Sequence, residues 1–404
     1  MKRIDGGVCA AKGYKANGIH CGIRKNKEKK DLSLIVSDVP AAAAAVYTTN
    51  LVKGAPLVVT KQHLANGTAQ AIVCNSGNAN TCNANGIEIA EQMSRLAADA
   101  VGIAPDDVVV ASTGVIGQPL EIAPIAKGMP ALAAGLRDTG SADAAAGIMT
   151  TDTVKKEVAV SFTLGGKTCS LGGIAKGSGM IHPNMATMLV FITTDVSISA
   201  PLLQQALSGD IANTFNMLSI DGDTSTNDMV TVLANGLAGN PCITEENADF
   251  AVFMQALNTV NVALCRKIAG DGEGATRLME MRVTGADTRE HARALARSVI
   301  ASSLVKAMVF GRDANCGRIL CALGYAGVDF DPAVIELYLV GEKETLCFYR
   351  DGCVQAFDED AALAILSEKE VRFGCDMRMG DQEATAWGCD LTYDYVKING
   401  DYRS

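Results

Sequence analysis

Apolar residues recur along this chain in two spacings, one typical of strands and the other typical of helices. Short apolar runs rich in valine and isoleucine are expected to form buried strands, and they occupy residues 32–36, 56–59, 71–74 and 107–111. Residues 86–101 and 120–136 instead have the composition and spacing of helices. Strands therefore alternate with helices in the first half of the chain.

The second half continues this alternation. Residues 155–164 alternate apolar and polar positions, and Gly165 and Gly166 are expected to turn this strand back into a second one at 168–174. Helices are predicted at 201–217, 245–268 and 289–308, with a strand at 276–283. The predicted fold class is therefore layered α/β (α+β), with stacked β-sheets flanked by helices and a smaller C-terminal α/β part within about residues 280–404.

The size and charge of the chain narrow the classes of partner. Its 404 residues are enough for two or three packed units. A net charge of −10 argues against nucleic acid and anionic membranes, which bind basic surfaces. The longest apolar run, 40–46, is too short to cross a bilayer and no signal peptide is recognisable, so we expect a cytoplasmic location. Thirteen cysteines without a C-x-x-C pair and four scattered histidines predict reduced thiols and no metal site.

The most informative run is 176–191, in which glycines and a short polar loop precede an apolar stretch predicted to be a strand. Thr187 lies where the loop meets the strand, and the simplest interpretation is that it merely begins the strand. The alternative is that its hydroxyl attacks the Ala186 carbonyl, so that an N-to-O acyl shift and hydrolysis cleave the chain. The new α-amine of Thr187, with a pKa of about 7.7 to 8.0, then serves as the general base for a threonine nucleophile.

Acyl chemistry at a threonine also needs hydrogen-bond donors for the oxyanion. The segment 111–117, ASTGVIG, follows a predicted strand and offers the backbone N–H of Gly114 and the hydroxyl of Thr113. An ordinary strand-to-loop turn is an adequate explanation of this segment on its own. Two other segments resemble ligand-binding motifs but do not match them. Residues 166–168 lack the upstream glycine of a phosphate-binding loop, and the loop that starts at 221 lacks the defining glycine and glutamate of a calcium-binding loop.

Residues 176–189, KGSGMIHPNMATML, resemble the self-cleavage motif of the glutamate N-acetyltransferase/ornithine acetyltransferase family of arginine biosynthesis. The resemblance extends over nearly the whole chain. It includes DLSLIVSDVP (31–40), CNSGNAN (74–80), residues 111–117, MTTDT (149–153), the polar loop 219–228, GDGEGATR (270–277) and the terminal residues 399–404. So many ordered matches make a chance resemblance negligible.

The resemblance implies a self-cleaving enzyme with an N-terminal-nucleophile-like fold. Cleavage between Ala186 and Thr187 is implied to give an α chain (1–186) and a β chain (187–404), with Thr187 as the nucleophile that accepts the acetyl group. Thr113 and Gly114 are implied to line the oxyanion hole. Substrate contacts are implied for Thr153, Lys176, Thr187, Glu273, Asn399 and Ser404. Thr150 and Thr151 stay open as alternatives to Thr153.

Elementary chemistry is consistent with these implied contacts. Lys176 can pair with a substrate carboxylate, although a lone lysine beside glycines is usually just exposed. Glu273, in a glycine-rich turn after a long predicted helix, can receive an ammonium group. Asn399 and Ser404 can contribute only if the C-terminus folds back onto the site, whereas most chain ends fray.

The implied activity is a ping-pong acetyl transfer from N2-acetyl-L-ornithine to L-glutamate, which yields ornithine and N-acetylglutamate. Small amino acids are the expected substrates, no cofactor is expected, and acetyl-CoA stays open as a second acetyl donor. Two α and two β chains are implied to form a heterotetramer. One alternative is an N-terminal-nucleophile amidohydrolase or aminopeptidase, and another is a binding protein that never cleaves. Ala314 and Cys316 replace a proline and a tryptophan usual in the family, and we expect altered packing there rather than lost catalysis.

Overall fold

The computed structural model describes residues 1–182 and 188–401 of the chain. These residues divide into two compact units. The first unit draws its described residues from Met1–Gly177, Asn184–Ala212 and Thr224–Leu264, and the second from Ser178–Pro183, Asn213–Asp223 and Cys265–Ser404. Each unit has its own β-sheet.

Strands and helices alternate through most of the described chain. The strands are β1 (Lys2–Ile4), β2 (Tyr14–Ile19), β3 (Leu32–Tyr47), β4 (Thr68–Asn75), β5 (Val108–Ser112), β6 (Lys156–Leu164), β7 (Lys167–Lys176), β8 (Leu189–Thr194), β9 (Leu218–Ser219), β10 (Met229–Ala234), β11 (Leu278–Ala286), β12 (Glu336–Val340), β13 (Thr345–Arg350), β14 (Cys353–Val354), β15 (Glu370–Asp376) and β16 (Gln382–Cys389). The helices are α1 (Ala55–His63), α2 (Gly86–Val101), α3 (Ile122–Ala134), α4 (Ser141–Ile148), α5 (Ala200–Ile211), α6 (Ala248–Gly270), α7 (Arg289–Ala301), α8 (Ser303–Gly311), α9 (Cys316–Gly324), α10 (Glu359–Leu366) and α11 (Tyr393–Gly400).

The sheet of the first unit runs in the order β1-β6-β7-β8-β10-β3-β4-β5, and β2 pairs with β3 as well. Strands β8 and β10 are parallel, while β7 and β3 run antiparallel to them on either side. Leu189, the first residue of β8, lies opposite Lys176 of β7 and opposite Met229 of β10. All of β8 is buried, because its apolar sequence suits a central strand. The strand that follows Thr187 is therefore held on both edges.

Both faces of this sheet are covered. Along β4, Ile72 and Cys74 belong to one apolar cluster, and the alternate residues Ala71 and Val73 belong to another. Helix α4 packs into the first cluster and α2 into the second. The predicted helix at 86–101 and the predicted strands at 32–36, 71–74 and 107–111 are confirmed. Helices on both faces of a mixed sheet form the layered arrangement that the alternation predicts.

Residues 56–59, predicted as a strand, instead belong to α1. Pro56 lies in the first turn, where a helix tolerates its missing N–H. Thr60, one turn further along, donates a hydrogen bond to the Val110 carbonyl oxygen at 2.7 Å and accepts one from its N–H at 2.8 Å. The prediction was wrong because a four-residue apolar run has the same pattern in a buried strand and in a short buried helix.

The second unit contains a sheet in the order β14-β13-β12-β15-β11-β16-β9. Helix α7 covers it, with Ala292, Leu295, Ala296, Val299 and Ile300 buried along one face. The predicted helix at 289–308 is two helices, α7 and α8, bent by 55° at Ser302. The hydroxyl of Ser302 accepts the Val305 N–H at 3.4 Å and so caps α8.

Two further features of the described helices complete the fold. Cys316 begins α9 as a buried residue, and burial raises the pKa of its thiol.

Helix α6, and the bent pair α7–α8 taken together, are long and apolar enough to match a membrane span by composition. Phe253, Leu257, Val260 and Leu264 of α6 are fully buried within the protein, which accounts for that apolar composition by packing.

Candidate active site

The first unit places Thr113 and Gly114 directly after β5, in the turn by which the chain leaves the sheet. Gly114 has a φ of +126°, in the region that side chains rarely adopt. A Cβ there would also lie 2.9 Å from the backbone nitrogen of Asn78. In the part of the chain that the structure describes, the Gly114 N–H donates to no backbone carbonyl. This N–H and the half-buried Thr113 are suited to an oxyanion hole.

Buried asparagines hold this turn in place. The Asn75 amide nitrogen donates to Ser112 Oγ at 2.6 Å, and its oxygen accepts the Asn78 N–H at 3.0 Å. Asn227 donates to the carbonyl oxygens of Ser112 at 3.0 Å and Ala79 at 2.6 Å. The loop after β4, the turn after β5 and the segment before β10 are thereby joined in one network. Satisfied buried networks of this kind make backbone rigid.

Lys176 ends β7 close to two carboxyl groups, those of Asp152 and Asp228. Asp152 is buried, and its Oδ1 accepts hydrogen bonds from Lys156 Nζ at 2.6 Å and from the Gly177 N–H at 2.8 Å. Burial by itself raises the pKa of Asp152, but the positive charges of Lys156 and Lys176 outweigh it and lower the pKa to about 2. Asp152 is therefore anionic at neutral pH and fixes the backbone next to Lys176.

Asp228 is a second buried carboxyl group, and it stands immediately before β10. Within the described residues, its Oδ2 has no hydrogen-bond partner. Burial raises its pKa well above the usual range, while Lys176 acts in the opposite direction. The next residue, Met229, donates its N–H to the Met188 carbonyl oxygen at 2.8 Å. Asp228 thus lies at the start of the β8–β10 pair.

Thr153 is exposed in the loop between α4 and β6. Arg24 connects this loop to the loop after β4, because its guanidinium donates to the Met149 carbonyl oxygen at 2.5 Å and to that of Ser76 at 2.9 Å. The Ser76 hydroxyl also donates to the Gly147 carbonyl oxygen at 2.8 Å. The first unit therefore links the segment that carries Thr153 to the loop that holds the Gly114 turn.

Glu273 and Asn399 come together in the second unit. Asn399, on α11, donates from its amide nitrogen to Glu273 Oε2 at 2.7 Å. The Glu273 N–H donates to the Ser178 carbonyl oxygen at 2.7 Å. A Cβ at Gly179 would collide with the Glu273 carboxyl group, so the glycine allows the backbone to pass directly beside it. The C-terminal helix of this unit thus folds back onto Glu273.

The second unit also contains a group of polar side chains around residues 180–182. The carboxylate of Asp221 accepts the N–H groups of Met180 at 2.6 Å and Ile181 at 2.8 Å. Burial raises the pKa of Asp221, and these two N–H groups oppose that shift. His182 Nδ1 lies 3.0 Å from Ser219 Oγ. Burial lowers the pKa of His182, so its imidazole is neutral at pH 7.

Three predicted site residues, Ala186, Thr187 and Ser404, lie outside the described residues. Among the residues that are described, no group of three or more His, Cys, Asp or Glu side chains could hold a metal ion. Thr113, Gly114, Thr153 and Lys176 belong to the first unit, and Glu273 and Asn399 to the second. The position of the nucleophile itself stays a prediction.

Comparison with known proteins identifies the family. The ArgJ family model matches residues 15–404. The arginine biosynthesis bifunctional protein ArgJ of Symbiobacterium thermophilum is 54% identical over 406 residues, which cover 100% of both chains. The protein of the same name from Caldanaerobacter subterraneus subsp. tengcongensis is 48% identical over 405 residues, again 100% of both. The chain belongs to the ArgJ family.

A solved structure supports this assignment. The arginine biosynthesis bifunctional protein ArgJ of Bacillus halodurans is 43% identical, with a TM-score of 0.50, and the match covers 52% of this chain and 97% of that one. That solved chain is therefore about half as long as the present one. ArgJ-family membership confirms the family inferred from residues 176–189, and the mixed sheets with their helices confirm the layered α/β class. The chain is an enzyme of arginine biosynthesis.

Sequence reasoning did not identify several residues that hold the backbone near the predicted site residues of each unit. Hydrogen bonds to backbone groups are made by Asn75, Asn227 and Asp152 in the first unit and by Asp221 in the second. Each stands in a short polar segment among those that carry the family resemblance. Their density of asparagine and aspartate beside buried strands is the signal that could have pointed to them.

Proposed function

We propose that this ArgJ-family enzyme transfers an acetyl group from N2-acetyl-L-ornithine to L-glutamate through an acetyl ester on Thr187. The observation that carries the proposal is the register between β7 and β8. Lys176, predicted to bind a substrate carboxylate, pairs with Leu189, which is two residues after Thr187. The predicted cation and the strand that follows the predicted nucleophile are thus neighbours in one sheet.

The proposed reaction has two halves. Thr187 Oγ attacks the acetyl carbonyl carbon, its proton passes to the α-amine of Thr187, and the amide bond breaks so that ornithine leaves with that proton. The α-amine of glutamate then attacks the ester, which gives N-acetylglutamate and restores the threonine hydroxyl. The Gly114 N–H and the Thr113 hydroxyl stabilise the oxyanion in both halves.

The same site serves both substrates in this proposal, because both have an α-amino-acid head group. Lys176 pairs with the carboxylate, and Thr153 and Ser404 complete the contacts. Glu273 receives an ammonium group, and the support for this role is the Asn399 amide that orients its carboxylate at 2.7 Å. Neither a metal nor a bound cofactor takes part.

Self-cleavage between Ala186 and Thr187 is part of the proposal. The solved Bacillus halodurans chain supports it, because that chain is about half the length of this one, as expected for a product of cleavage near the middle. The products, 1–186 and 187–404, then assemble as two α and two β chains. We place the enzyme in the cytoplasm, and the thirteen free thiols of the chain suit a reducing compartment.

The decisive experiment incubates the purified protein with acetylornithine and glutamate. We expect N-acetylglutamate and ornithine in equal amounts, together with two polypeptides, one of which has Thr187 as its N-terminal residue. Thr187→Ala should remain a single inactive chain. Acetate without N-acetylglutamate would instead identify an amidohydrolase, and an active enzyme with an intact Ala186–Thr187 bond would refute the mechanism.

We further propose acetyl-CoA as a second acetyl donor. The Symbiobacterium and Caldanaerobacter proteins are both named bifunctional, which supports acetyl-CoA as a further donor for the present chain. Glutamate and acetyl-CoA without acetylornithine should then give N-acetylglutamate and free coenzyme A thiol. If the enzyme is active with acetylornithine but releases no thiol from acetyl-CoA, then acetylornithine is its acetyl donor and acetyl-CoA is not.

A further inference from the structure

Residues 178–182, here called the arm, directly precede in the chain the segment that contains the predicted cleavage site. In the second unit the arm is fastened to residues 219–221, here called the clamp. One carboxylate oxygen of Asp221 accepts the Met180 N–H at 2.6 Å, and the other accepts the Ile181 N–H at 2.8 Å. Charge-assisted hydrogen bonds of this kind are among the strongest that a backbone N–H makes. Asp221 therefore fixes two consecutive peptide groups of the arm.

The other two clamp residues bind the arm as well. The Ile220 N–H donates to the Ile181 carbonyl oxygen at 2.8 Å. Ser219 Oγ lies 3.0 Å from His182 Nδ1. Three consecutive residues of the arm are thus held by three consecutive residues of the clamp.

The backbone of the arm has a conformation that needs such support. Met180 has a φ of +54°, which costs a residue with a side chain on the order of 1 to 2 kcal/mol. On the other side of Met180, the Ser178 carbonyl oxygen accepts the Glu273 N–H at 2.7 Å. The arm would relax from this conformation if Asp221 no longer bound its N–H groups.

The clamp is itself anchored in the interior of the second unit. Lys306 is 3% exposed, and its Nζ donates to the carbonyl oxygens of Ser219 at 3.2 Å and Cys389 at 2.8 Å. Burial and the nearby charge of Asp221 raise the pKa of the Tyr395 hydroxyl. The clamp is therefore a fixed support, and the arm takes its geometry from it.

We infer that Asp221 and Ser219 are positioning residues for self-cleavage, an inference that rests on the proposed function. Attack of a threonine hydroxyl on the preceding carbonyl requires the scissile peptide to be held close to its reactive geometry. The clamp holds the arm, which is the part of the chain directly before residues 183–187.

The test compares Asp221→Asn with Asp223→Asn in the full-length chain. Both variants remove one negative charge from the same loop, but Asp223 is exposed and holds no residue of the arm through its side chain among the described contacts. An asparagine at 221 presents an NH2 group to one of the two N–H donors. We expect Asp221→Asn to slow the conversion of precursor into two chains on the order of 10- to 100-fold, while Asp223→Asn converts at the wild-type rate.

A second measurement separates positioning from a general loss of structure. Asp221→Asn should still be cleaved completely before Thr187, only at its slower rate, whereas a chain that has lost its structure would not cleave at all. Equal cleavage rates for Asp221→Asn and wild type would overturn the inference and leave the proposed function intact. A wild-type chain that never cleaves would overturn the proposed function itself.

Ser219→Ala keeps the inference testable if Asp221→Asn does not fold. Among the described contacts, this variant removes the Ser219 hydroxyl's contact to His182 and leaves the backbone bonds of the clamp in place. We expect its cleavage to be slower by about fivefold, the effect of losing one ordinary hydrogen bond. A wild-type cleavage rate for folded Ser219→Ala would count against the clamp.

Discussion

Gly114 and Gly117 allow a controlled test of the turn after β5. Both have positive φ, +126° and +75°, but only at Gly114 would a Cβ meet neighbouring backbone, 2.9 Å from the Asn78 nitrogen. We expect Gly114→Ala to lower kcat on the order of 100-fold, because it displaces an oxyanion donor. Gly117→Ala should cost about 1 kcal/mol of stability and leave kcat nearly unchanged. Equal losses of kcat in the two folded variants would contradict the proposed role of Gly114.

A second residue-scale prediction concerns Asp152 and pH. Its pKa of about 2 in the folded state is below the usual 3.8, so its ionisation adds on the order of 2 kcal/mol to stability at neutral pH. Because the folded-state pKa is the lower one, this contribution is full above about pH 4 and is lost as the pH falls towards about 2.

The measurement is urea unfolding of wild type and Asp152→Asn across this pH range. At pH 7 the variant should lose about 3 to 5 kcal/mol of its free energy of unfolding, because it breaks the buried ion pair between Asp152 and Lys156. The difference between the two proteins should shrink below pH 4. Asp106→Asn is the control, since the side chain of Asp106 is 86% exposed. A difference that does not change with pH would show that Asp152 is not the titrating group.

At the scale of elements, the junction between α7 and α8 shows a single residue ending a helix that the sequence spacing predicts to continue. The helical spacing continues through 289–308, yet Ser302 has extended backbone and its hydroxyl caps the second helix. Ser302→Ala should lower the free energy of unfolding by about 1 kcal/mol. Ser303→Ala, at an exposed neighbouring position, should change it by less than about 0.5 kcal/mol. Chemical denaturation of both variants measures the difference.

Long, strongly periodic elements could be predicted from the sequence, and short ones could not. Helix α2 has the predicted bounds because its apolar positions repeat over sixteen residues. The run 56–59 was assigned to the wrong class, since four apolar residues carry no distinguishable period. The loops of the site have no period at all, so nothing along the chain predicted that Asn227 would bind Ser112, which is 115 positions away.

At the scale of the whole molecule, the first unit interleaves the two proposed chains within one sheet. Strands β8 and β10 lie after residue 187, and their neighbours β7 and β3 lie before residue 186. Separating the cleaved chains would break the β7–β8 and β10–β3 hydrogen bonds and expose buried strands. We therefore expect the products of cleavage to remain associated in native buffer.

An affinity tag on the N-terminal chain tests this expectation. The fragment 187–404 should co-purify with the tagged fragment 1–186 in native buffer and be released only in denaturant. Thr187→Ala, which stays uncleaved in our proposal, is the reference for the melting temperature. Fragments that separate without denaturant would show that cleavage breaks up the sheet.

The sequence alone determined the family, the layered α/β class and the chemistry to look for, because the motifs and periodic spacings are properties of neighbouring residues. The tertiary structure decided which polar groups meet. It placed Lys176 opposite Leu189, Asp152 against Gly177 and Asp221 against the arm. These contacts join segments that are far apart in the chain, and they depend on strand register and burial. A one-residue change of register would move every side chain to the opposite face of its strand, so no local pattern could have specified them.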